Sequence, residues 1–287
     1  MKQRISILAL LLSLCILPCQ AGRFVDDSVK VDGHMRQFVM YLPDGLQADA
    51  PLVVALHGYG AGIWRENPLV KSADRHGFAV CIPQGLKDPK GQPSWNVGYP
   101  FQQGWKVDDV KGLCRMAQYV QKRYRLSRTN AFLTGASNGG EMCYLMAYSK
   151  QSVFKAVAPI AGLTMAWMYQ QLEAPRPIPL MEVHGTEDRV SEWTGDMENK
   201  GGWGAYLPVP VAIGYWVARN RCTREEVERV DSLYTDEGHP VIKHRYSSPT
   251  TGCDVWLYEV VGGVHGWHYK DIDLGEELWQ FFARYVN

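Results

Sequence analysis

The stretch FLTGASNGGEM, residues 132–142, places Ser137 between Gly135 and Gly139 in the pattern Gly-x-Ser-x-Gly. A buried strand is predicted before this serine and a helix after it, and a hydroxyl at such a corner is exposed enough to act as a nucleophile. Glycines suit the two flanking positions because side chains there would crowd a sharp, strained turn. The pattern therefore predicts nucleophilic attack by Ser137 on a carbonyl carbon.

A serine hydroxyl needs a base to take its proton, and the base needs a carboxylate to orient it. Asp188 comes soon after the strand IPLMEVHG, and His265 comes soon after the last strand, VWLYEVVGG. Because the carboxyl ends of parallel strands meet in one crevice, we expect Ser137, Asp188 and His265 to form a single site.

Alternatives remain open for two of these roles. Glu187 and Asp196 compete for the role of the acid, but the tight turn HGTED suits Asp188 best. His268 competes for the role of the base. We favour His265 because two glycines directly after the strand let the loop turn its imidazole back over the sheet.

Hydrogen-bond donors for a developing oxyanion are expected in two places. The segment PLVVALHGYG ends a strand in a glycine-containing loop that can point backbone N–H groups into the crevice. We predict that the backbone N–H groups of Tyr59 and Asn138 form the oxyanion hole.

The elements that must position these residues are strands that alternate with helices. Short apolar segments predict strands near 35–42, 52–56, 78–82, 131–134, 155–159, 179–183 and 254–260, and helices are predicted at 65–75, 108–124, 138–149, 209–219 and 275–285. Asp108 or Asp109 is expected to cap the second helix. The opening residues, with a central Asp-Gly pair, predict an antiparallel hairpin. The fold class is α/β, a mostly parallel sheet of about eight strands with helices on both faces.

Composition limits the class of protein. The chain of 287 residues is 46% apolar and 21% charged, which is ordinary for one globular domain. Residues 1–21 have two basic residues, an apolar run and small side chains at Cys19 and Ala21, so we predict a signal peptide cleaved after about Ala21 and a single catalytic domain over 22–287. An exported or periplasmic protein is expected, and a lipoprotein anchored at Cys19 is disfavoured by Pro18.

Charge argues against nucleic acid as a partner, because residues 22–287 contain 28 basic and 30 acidic residues. No interface pattern stands out, so a monomer is the default expectation. The same residues contain five cysteines. Cys222 and Cys253 lie in polar, turn-like segments and are the preferred disulfide, whereas the other three lie in apolar runs and are expected to be buried thiols.

Tryptophans concentrate in two loop-like stretches, SWNVGYPFQQGW and SEWTGDMENKGGWGAYLP. Both are expected near the crevice, where aromatic rings would bind a flat acyl group or the face of a sugar. Packing of these loops onto the body is an equally good interpretation. The substrate-binding candidates are Trp95, Trp105, Trp193, Trp203 and Trp267.

These motifs together resemble the α/β-hydrolase esterases that include feruloyl esterases, acetylxylan esterases and polyhydroxybutyrate depolymerases, called carbohydrate esterase family one. The resemblance runs from about residue 34 to the end and rests on LVVALHGYG, WKVDDVKGL, GASNGGEMCYLMAY, FKAVAPIAG, VHGTEDRV, WVARNRC and VVGGVHGWHY. It implies the same nucleophile, acid, base and oxyanion loop, and it supports the Cys222–Cys253 pair. The histidine motif departs from the family's Gly-Gly-Gly-His-x-Trp-Pro, which puts the rim of the pocket in doubt.

The resemblance implies a secreted serine esterase that needs no metal or organic cofactor. The expected substrate is an ester linked to a polysaccharide or oligosaccharide, with feruloyl or acetyl groups removed from xylan. A polyhydroxyalkanoate depolymerase or oligomer hydrolase is the alternative. A third hypothesis, a non-catalytic exported binding protein on a hydrolase fold, is disfavoured by the intact set of Ser137, Asp188 and His265.

Overall fold

The computed structural model describes residues 22–287, and the predicted signal peptide lies outside the described residues. The strands are β1 (Arg23–Val31), β2 (His34–Leu42), β3 (Leu52–Leu56), β4 (Ala79–Pro83), β5 (Leu86–Lys87), β6 (Pro93–Ser94), β7 (Ala131–Ala136), β8 (Phe154–Ile160), β9 (Leu180–Gly185), β10 (Arg224–Val230), β11 (Val241–Ser247) and β12 (Val255–Val260). The helices are α1 (Leu69–His76), α2 (Asp109–Arg123), α3 (Asn138–Tyr148), α4 (Ala166–Gln171), α5 (Val209–Arg219) and α6 (Leu274–Ala283), with a short 3-10 helix at Pro100–Gln102.

Ten strands form one sheet in the order β1-β2-β4-β3-β7-β8-β9-β12-β11-β10. The six central strands run parallel, and an antiparallel pair flanks them on each side. The opening hairpin forms as predicted, with Val31 paired to His34 across an Asp32-Gly33 turn in which both residues have positive φ. That conformation matches the twist of antiparallel strands.

The strand count of about eight was too low, because the sheet has ten. The two strands that the sequence did not reveal are β10 and β11 at one edge. β10 reads REEVERV and is exposed along most of its length, so no apolar run marks it. Strands at an edge pack little apolar surface, and periodicity in hydrophobic residues is the signal that sequence reading depends on.

Apolar side chains cover both faces of the sheet and form two cores. One face packs against α2, α3 and α5, and the other packs against α1 and α6. Asp108, not Asp109, caps α2 by accepting a hydrogen bond from Lys111 N at 2.9 Å. No helix within 22–287 combines the length and apolarity needed to cross a bilayer.

Both ends of the described chain lie at the amino edge of the parallel strands. Arg23 pairs with Leu42, the last residue of β2, which runs antiparallel to β4. Asn287 O accepts a hydrogen bond from the side chain of Asn130, the residue just before β7. The opposite, carboxyl edge is where Ser137, Asp188 and His265 follow their strands.

Candidate active site

Ser137 lies at the junction of β7 and α3, with φ 53° and ψ −123°. This conformation is unfavourable for a residue with a side chain and costs of order 1–3 kcal/mol. The turn is tight because the nucleophile helix passes close to β3. A Cβ added to Gly139 would lie 2.7 Å from Leu56 O, and one added to Gly135 would lie 2.7 Å from Gly139 O, so only glycine fits either position.

Asp188 and His265 are brought together at the same edge. His265 Nδ1 donates to Asp188 Oδ2 at 2.7 Å, while Asp188 Oδ1 accepts from the backbone N–H groups of Val190 and Ser191, each at 2.8 Å. Burial raises the pKa of the Asp188 carboxyl, but the hydrogen bonds and the charge of His265 outweigh it, so that pKa is lowered. Asp188 is therefore an ionised, oriented partner for the imidazole.

The competing residues are placed differently. Glu187 is exposed, and Asp196 accepts a hydrogen bond from Gly201 N within its own loop. His268 is buried and donates to Asp271 Oδ2 at 2.8 Å. In the described part of the chain neither acid pairs with His265, and His268 pairs with Asp271 and not with Asp188. The geometry therefore favours Asp188 as the acid and His265 as the base.

Within residues 22–287, the Ser137 hydroxyl is not hydrogen-bonded to His265. No other side chain bonds to the Ser137 hydroxyl or to His265 Nε2. The imidazole of His265 is 24% exposed, and its Nε2 has no hydrogen-bond partner among the described residues. In unliganded sites the contact between nucleophile and base is commonly long and tightens with substrate. The structure thus joins two of the three predicted residues directly and leaves the third unbonded at the same edge.

The backbone N–H groups of Tyr59 and Asn138 have no acceptor among residues 22–287, and they lie on the two segments that adjoin Ser137. Asn138 is the first residue of α3, where the helix dipole favours a negative charge. The loop after β3 reaches the serine, since a Cβ on Gly58 would lie 3.4 Å from Ser137 Cβ. These are the two positions at which the sequence predicted an oxyanion hole.

The side chain of Asn138 connects the nucleophile turn to the oxyanion loop through Trp95. Its Oδ1 accepts from Trp95 N at 2.7 Å and its Nδ2 donates to Trp95 O at 3.1 Å. Trp95 Nε1 in turn donates to His57 O at 2.9 Å. Trp95 is fully buried, so its assignment as a substrate contact was wrong: the ring is part of the scaffold.

A buried acid–base pair lies directly behind Asp188. His184 Nδ1 lies 2.7 Å from Glu182 Oε1, and His184 Nε2 lies 2.7 Å from Ser191 O and 3.7 Å from Asp188 Oδ2. Both ring nitrogens face acceptors, which favours the doubly protonated ring. Burial lowers the pKa of His184, but Glu182 and the Ser191 carbonyl outweigh it and the pKa is raised. Burial raises the pKa of Glu182, although the hydrogen bond and charge of His184 oppose this.

A small pocket of about 10 Å³ adjoins Ser137 and is lined by Tyr99, Glu141, Leu163, Val190 and Trp203, among others. Trp203 belongs to a cluster with Tyr59, Tyr99 and Phe101, in which ring centroids are 5.2–6.4 Å apart. Of the two tryptophan loops that the sequence singled out, the second therefore does place one ring, Trp203, beside the serine.

A second cavity, of about 290 Å³, lies between the oxyanion loop and the loop of His265. Trp64, Trp267 and Tyr269 line it, with Trp64 5.6 Å from Trp267 and 5.9 Å from Tyr269. The remaining two predicted contacts lie in neither cavity. Trp105 is half-buried, its backbone carbonyl bonded to Asn96, and Trp193 packs 6.0 Å from His184.

The predicted disulfide is not present in the structure. All five cysteines in the described residues are free thiols. Cys222 Sγ lies 3.7 Å from the backbone oxygen of Cys253, whose own thiol is directed to Thr251 O at 3.6 Å. The two residues are neighbours, as the sequence suggested, but their sulfurs are not joined.

Sequence reasoning missed Tyr99, Glu141 and Trp64. Glu141 had a usable signal, because it is the single charged residue in the otherwise uncharged helix NGGEMCYLMAY. A carboxylate on a helix that is buried on all sides is expected to have a specific partner. Trp64 and Tyr99 had no such signal, since nothing local distinguishes them from packing residues. Among residues 22–287, no three His, Cys, Asp or Glu side chains converge in a way that could hold a metal ion.

Comparison with known proteins finds similarity to several esterases and to one family model. A family model described as the prolyl oligopeptidase family matches residues 73–194. The chain is 28% identical over 169 residues to a bifunctional acetylxylan esterase/xylanase from Neocallimastix patriciarum, covering 58% of this chain and 23% of that protein. It is 31% identical over 131 residues to feruloyl esterase B from Neurospora crassa, covering 44% of each.

A poly(3-hydroxyalkanoate) depolymerase from Paucimonas lemoignei is 28% identical over 132 residues, covering 45% of this chain and 32% of that protein. The matched chain therefore spans less than half the length of these relatives. The resemblance to this group of esterases, drawn from the sequence motifs, is confirmed.

The solved structure of an acetyl xylan esterase from Aspergillus awamori superimposes with a TM-score of 0.63 at 14% identity, covering 92% of this chain and all of that one. The fold is that of the α/β-hydrolases, as predicted.

Proposed function

We propose that the chain is a serine-dependent carboxylic ester hydrolase that removes feruloyl or acetyl groups from plant cell-wall polysaccharide such as xylan. The observation that carries the proposal is the 2.7 Å hydrogen bond from His265 to the buried Asp188, at the sheet edge where Ser137 is held in a strained turn. An oriented acid–base pair beside a half-buried serine hydroxyl supports nucleophilic catalysis.

Catalysis would follow from the geometry in two stages. His265 Nε2 takes the proton of the Ser137 hydroxyl as the oxygen attacks the ester carbonyl. The N–H groups of Tyr59 and Asn138 hold the oxyanion, and the imidazolium then protonates the departing alcohol. Water, deprotonated by the same histidine, cleaves the acyl-enzyme and frees the acid. Asp188 stays ionised throughout and stabilises the imidazolium.

Support for polysaccharide esters comes from two sides. Two of the relatives described above are named for acetylxylan and feruloyl ester hydrolysis. In the structure, Trp203 adjoins the serine and Trp267 lines the neighbouring aromatic cavity. Aromatic faces of this kind bind sugar rings and flat phenolic groups.

Hydrolysis of hydroxyalkanoate oligomers is the second candidate, favoured by the match to the depolymerase from Paucimonas lemoignei. The reacting groups would be the same, because the fold and the catalytic residues determine the bond that is cleaved and the pocket determines the acid. Only substrate comparison separates the two.

The decisive experiment assays residues 22–287, the Ser137→Ala variant and the matched control Ser152→Ala, which changes an exposed serine. The substrates are methyl ferulate, acetylated xylan and a 3-hydroxybutyrate oligomer. We expect release of ferulate or acetate by the unchanged chain and the control, and at least a 10³-fold loss in Ser137→Ala. Release from the hydroxybutyrate oligomer alone would establish the second candidate. Equal activity with and without the Ser137 hydroxyl would refute both.

We also propose that the protein is exported after cleavage near Ala21 and acts as a monomer without a cofactor. Mass spectrometry of the protein from culture medium or periplasm tests the cleavage. A first residue other than one near Gly22 would contradict it, and light scattering of the same sample tests the monomer.

A further inference from the structure

The floor of the pocket beside Ser137 contains a buried carboxyl group that the proposed mechanism does not use. Glu141 is 1% exposed and lies one helical turn after the serine, with its backbone N–H donating to Ser137 O at 3.0 Å. Side chains on a helix point back toward its N-terminus, so this carboxyl lies over the turn that carries the nucleophile. It lines the same pocket as Ser137.

Tyr99 holds this carboxyl in place. Its hydroxyl donates to Glu141 Oε2, and its ring is packed against Tyr59, Phe101 and Trp203. The backbone N–H of Tyr99 is itself bonded to Gln102 Oε1 at 3.2 Å. The floor is therefore a rigid pair of polar groups, not a flexible side chain that could move aside for a larger ligand.

The lining of the pocket favours the acyl side of the site. The departing alcohol must lie next to His265, which protonates it, and the acyl substituent extends from the other side of the reacting carbon. His265 is not among the residues of the described chain that line this pocket, whereas Ser137 and Glu141 are. The larger aromatic cavity adjoins the loop of His265, where the alcohol part would lie.

The size of the pocket limits what it holds. A volume of about 10 Å³ is close to that of one water-sized probe, so one methyl or hydroxyl-sized group occupies it. Leu163, Val190 and Trp203 form the apolar part of its wall, and the polar part is formed by Ser137, Ser191, Glu141 and Tyr99. Shortening Glu141 would add to the pocket, on its core side, the space that the removed side-chain atoms now occupy.

We propose that Glu141, held by Tyr99, is a specificity-determining residue that limits the acyl group of the ester to two carbons. This inference rests on the proposed esterase function and goes beyond it, since it selects among acyl groups by a named side chain. It predicts that a butyryl or aromatic acyl group is excluded by contact with the Glu141–Tyr99 floor, so that of the two acyl groups in the proposed function acetyl is accepted and feruloyl is not. The alcohol part of the substrate is unrestricted by this floor.

Ionisation of the Glu141 carboxyl predicts a second measurable effect, a dependence of the rate on pH. Burial raises the pKa of Glu141 to about 8, although the hydrogen bonds of Tyr99 and Asn138 oppose this. From β9, the carboxyl of Glu182 acts in the same direction as burial and His184 opposes it. This direction favours a protonated carboxyl near neutral pH that ionises as the pH rises through about 8, where its negative charge would disfavour the nearby oxyanion.

The test measures kcat/KM on 4-nitrophenyl acetate, propionate and butyrate for the unchanged chain, Glu141→Ala, Glu141→Gln and the exposed control Glu173→Ala. Each added methylene is expected to cost the unchanged chain roughly tenfold or more. Glu141→Ala should raise the ratio of butyrate to acetate activity at least tenfold. Glu141→Gln fills the same space, so it should keep the preference for acetate but lose the decline in rate above pH 8.

Separate outcomes distinguish this inference from the proposed function. If no ester is hydrolysed, or if Ser137→Ala is as active as the unchanged chain, both fail. If the unchanged chain hydrolyses acetate and butyrate equally, or Glu141→Ala and Glu141→Gln share one chain-length profile, only the role of Glu141 is overturned. Should Glu141→Ala not fold, Val190→Ala opens the same pocket from its 41% exposed side. It should also raise the butyrate to acetate ratio, and an unchanged ratio would refute the size limit.

Discussion

Replacing His184 by leucine is expected to destabilise the protein far more than the loss of one side chain would suggest. His184 and Glu182 are fully buried and 2.7 Å apart. Without the imidazolium, Glu182 is a buried carboxyl with no positive partner, and breaking such a pair costs about 3–5 kcal/mol. Urea denaturation at pH 7 should show this loss as a lower midpoint with an unchanged slope.

The double variant Glu182→Met/His184→Leu should be more stable than His184→Leu alone. Both charges are then gone, and apolar side chains of similar volume can replace a buried ion pair at little cost. A residual loss of about 1–3 kcal/mol is expected, because Gly162 N–H and Ser191 O lose the hydrogen bonds they make to the pair. The double-mutant cycle should thus give a coupling of at least about 2 kcal/mol.

The more exposed pair of His244 and Glu225, 2.9 Å apart with Glu225 43% exposed, is the matched control. His244→Leu should cost less than about 1 kcal/mol. The reasoning is refuted if His184→Leu behaves like this control, or if the effects of the two buried substitutions simply add. Either result would mean that Glu182 is neutral in the folded protein and needs no cation.

Asp188→Asn should lower kcat by about 10³–10⁴-fold with little change in KM, because the amide favours the wrong tautomer of the base; steady-state kinetics on a soluble ester would contradict this by showing less than tenfold. Glu141→Gln should remove a pH-dependent loss of stability of about 3–5 kcal/mol. A carboxyl whose pKa is raised from 4.5 to about 8 on folding stabilises the fold below pH 4.5 and progressively less up to pH 8. The urea midpoint of the unchanged chain should therefore fall as the pH rises across this range, and that of the variant should not. Trp95→Ala should lower the free energy of unfolding by about 3–5 kcal/mol, since the ring is fully buried. A melting temperature near that of the unchanged chain would show that the ring does not stabilise the core. Trp267→Ala should raise KM for acetylated oligosaccharide and leave kcat/KM for a small acetate ester unchanged; parallel loss on both esters would rule out a role for this ring in binding the alcohol part.

Residues at the ends of parallel strands were predictable from the sequence because topology alone brings them together. Asp188 and His265 are 77 positions apart, yet the rule that carboxyl ends share one edge was enough to pair them. The sharp turn at Ser137 was also predictable, because Gly135 and Gly139 flank the serine. Only residues without a side chain permit the close approach to β3.

Other features depended on contacts that the local sequence does not encode. Trp95 follows a turn-rich stretch and so resembled an exposed loop residue, but Asn138 binds its backbone and buries it. β10 has charges on nearly every residue and forms only because β11 offers a free edge. In each case a contact with another segment decides the outcome, and periodicity reports only on the residues within one segment.

The amino edge of the sheet holds both Arg23 and Asn287, on the side away from the crevice. Attachment at either end would therefore leave the approach to Ser137 open. A carbohydrate-binding module, a solid support or a second enzyme could be fused to the chain without standing between the site and an insoluble polymer. The outer strands β1 and β10 contribute none of the proposed catalytic groups. Force on such a tether would therefore act at the edge of the sheet and not on the parallel strands that position the proposed catalytic residues.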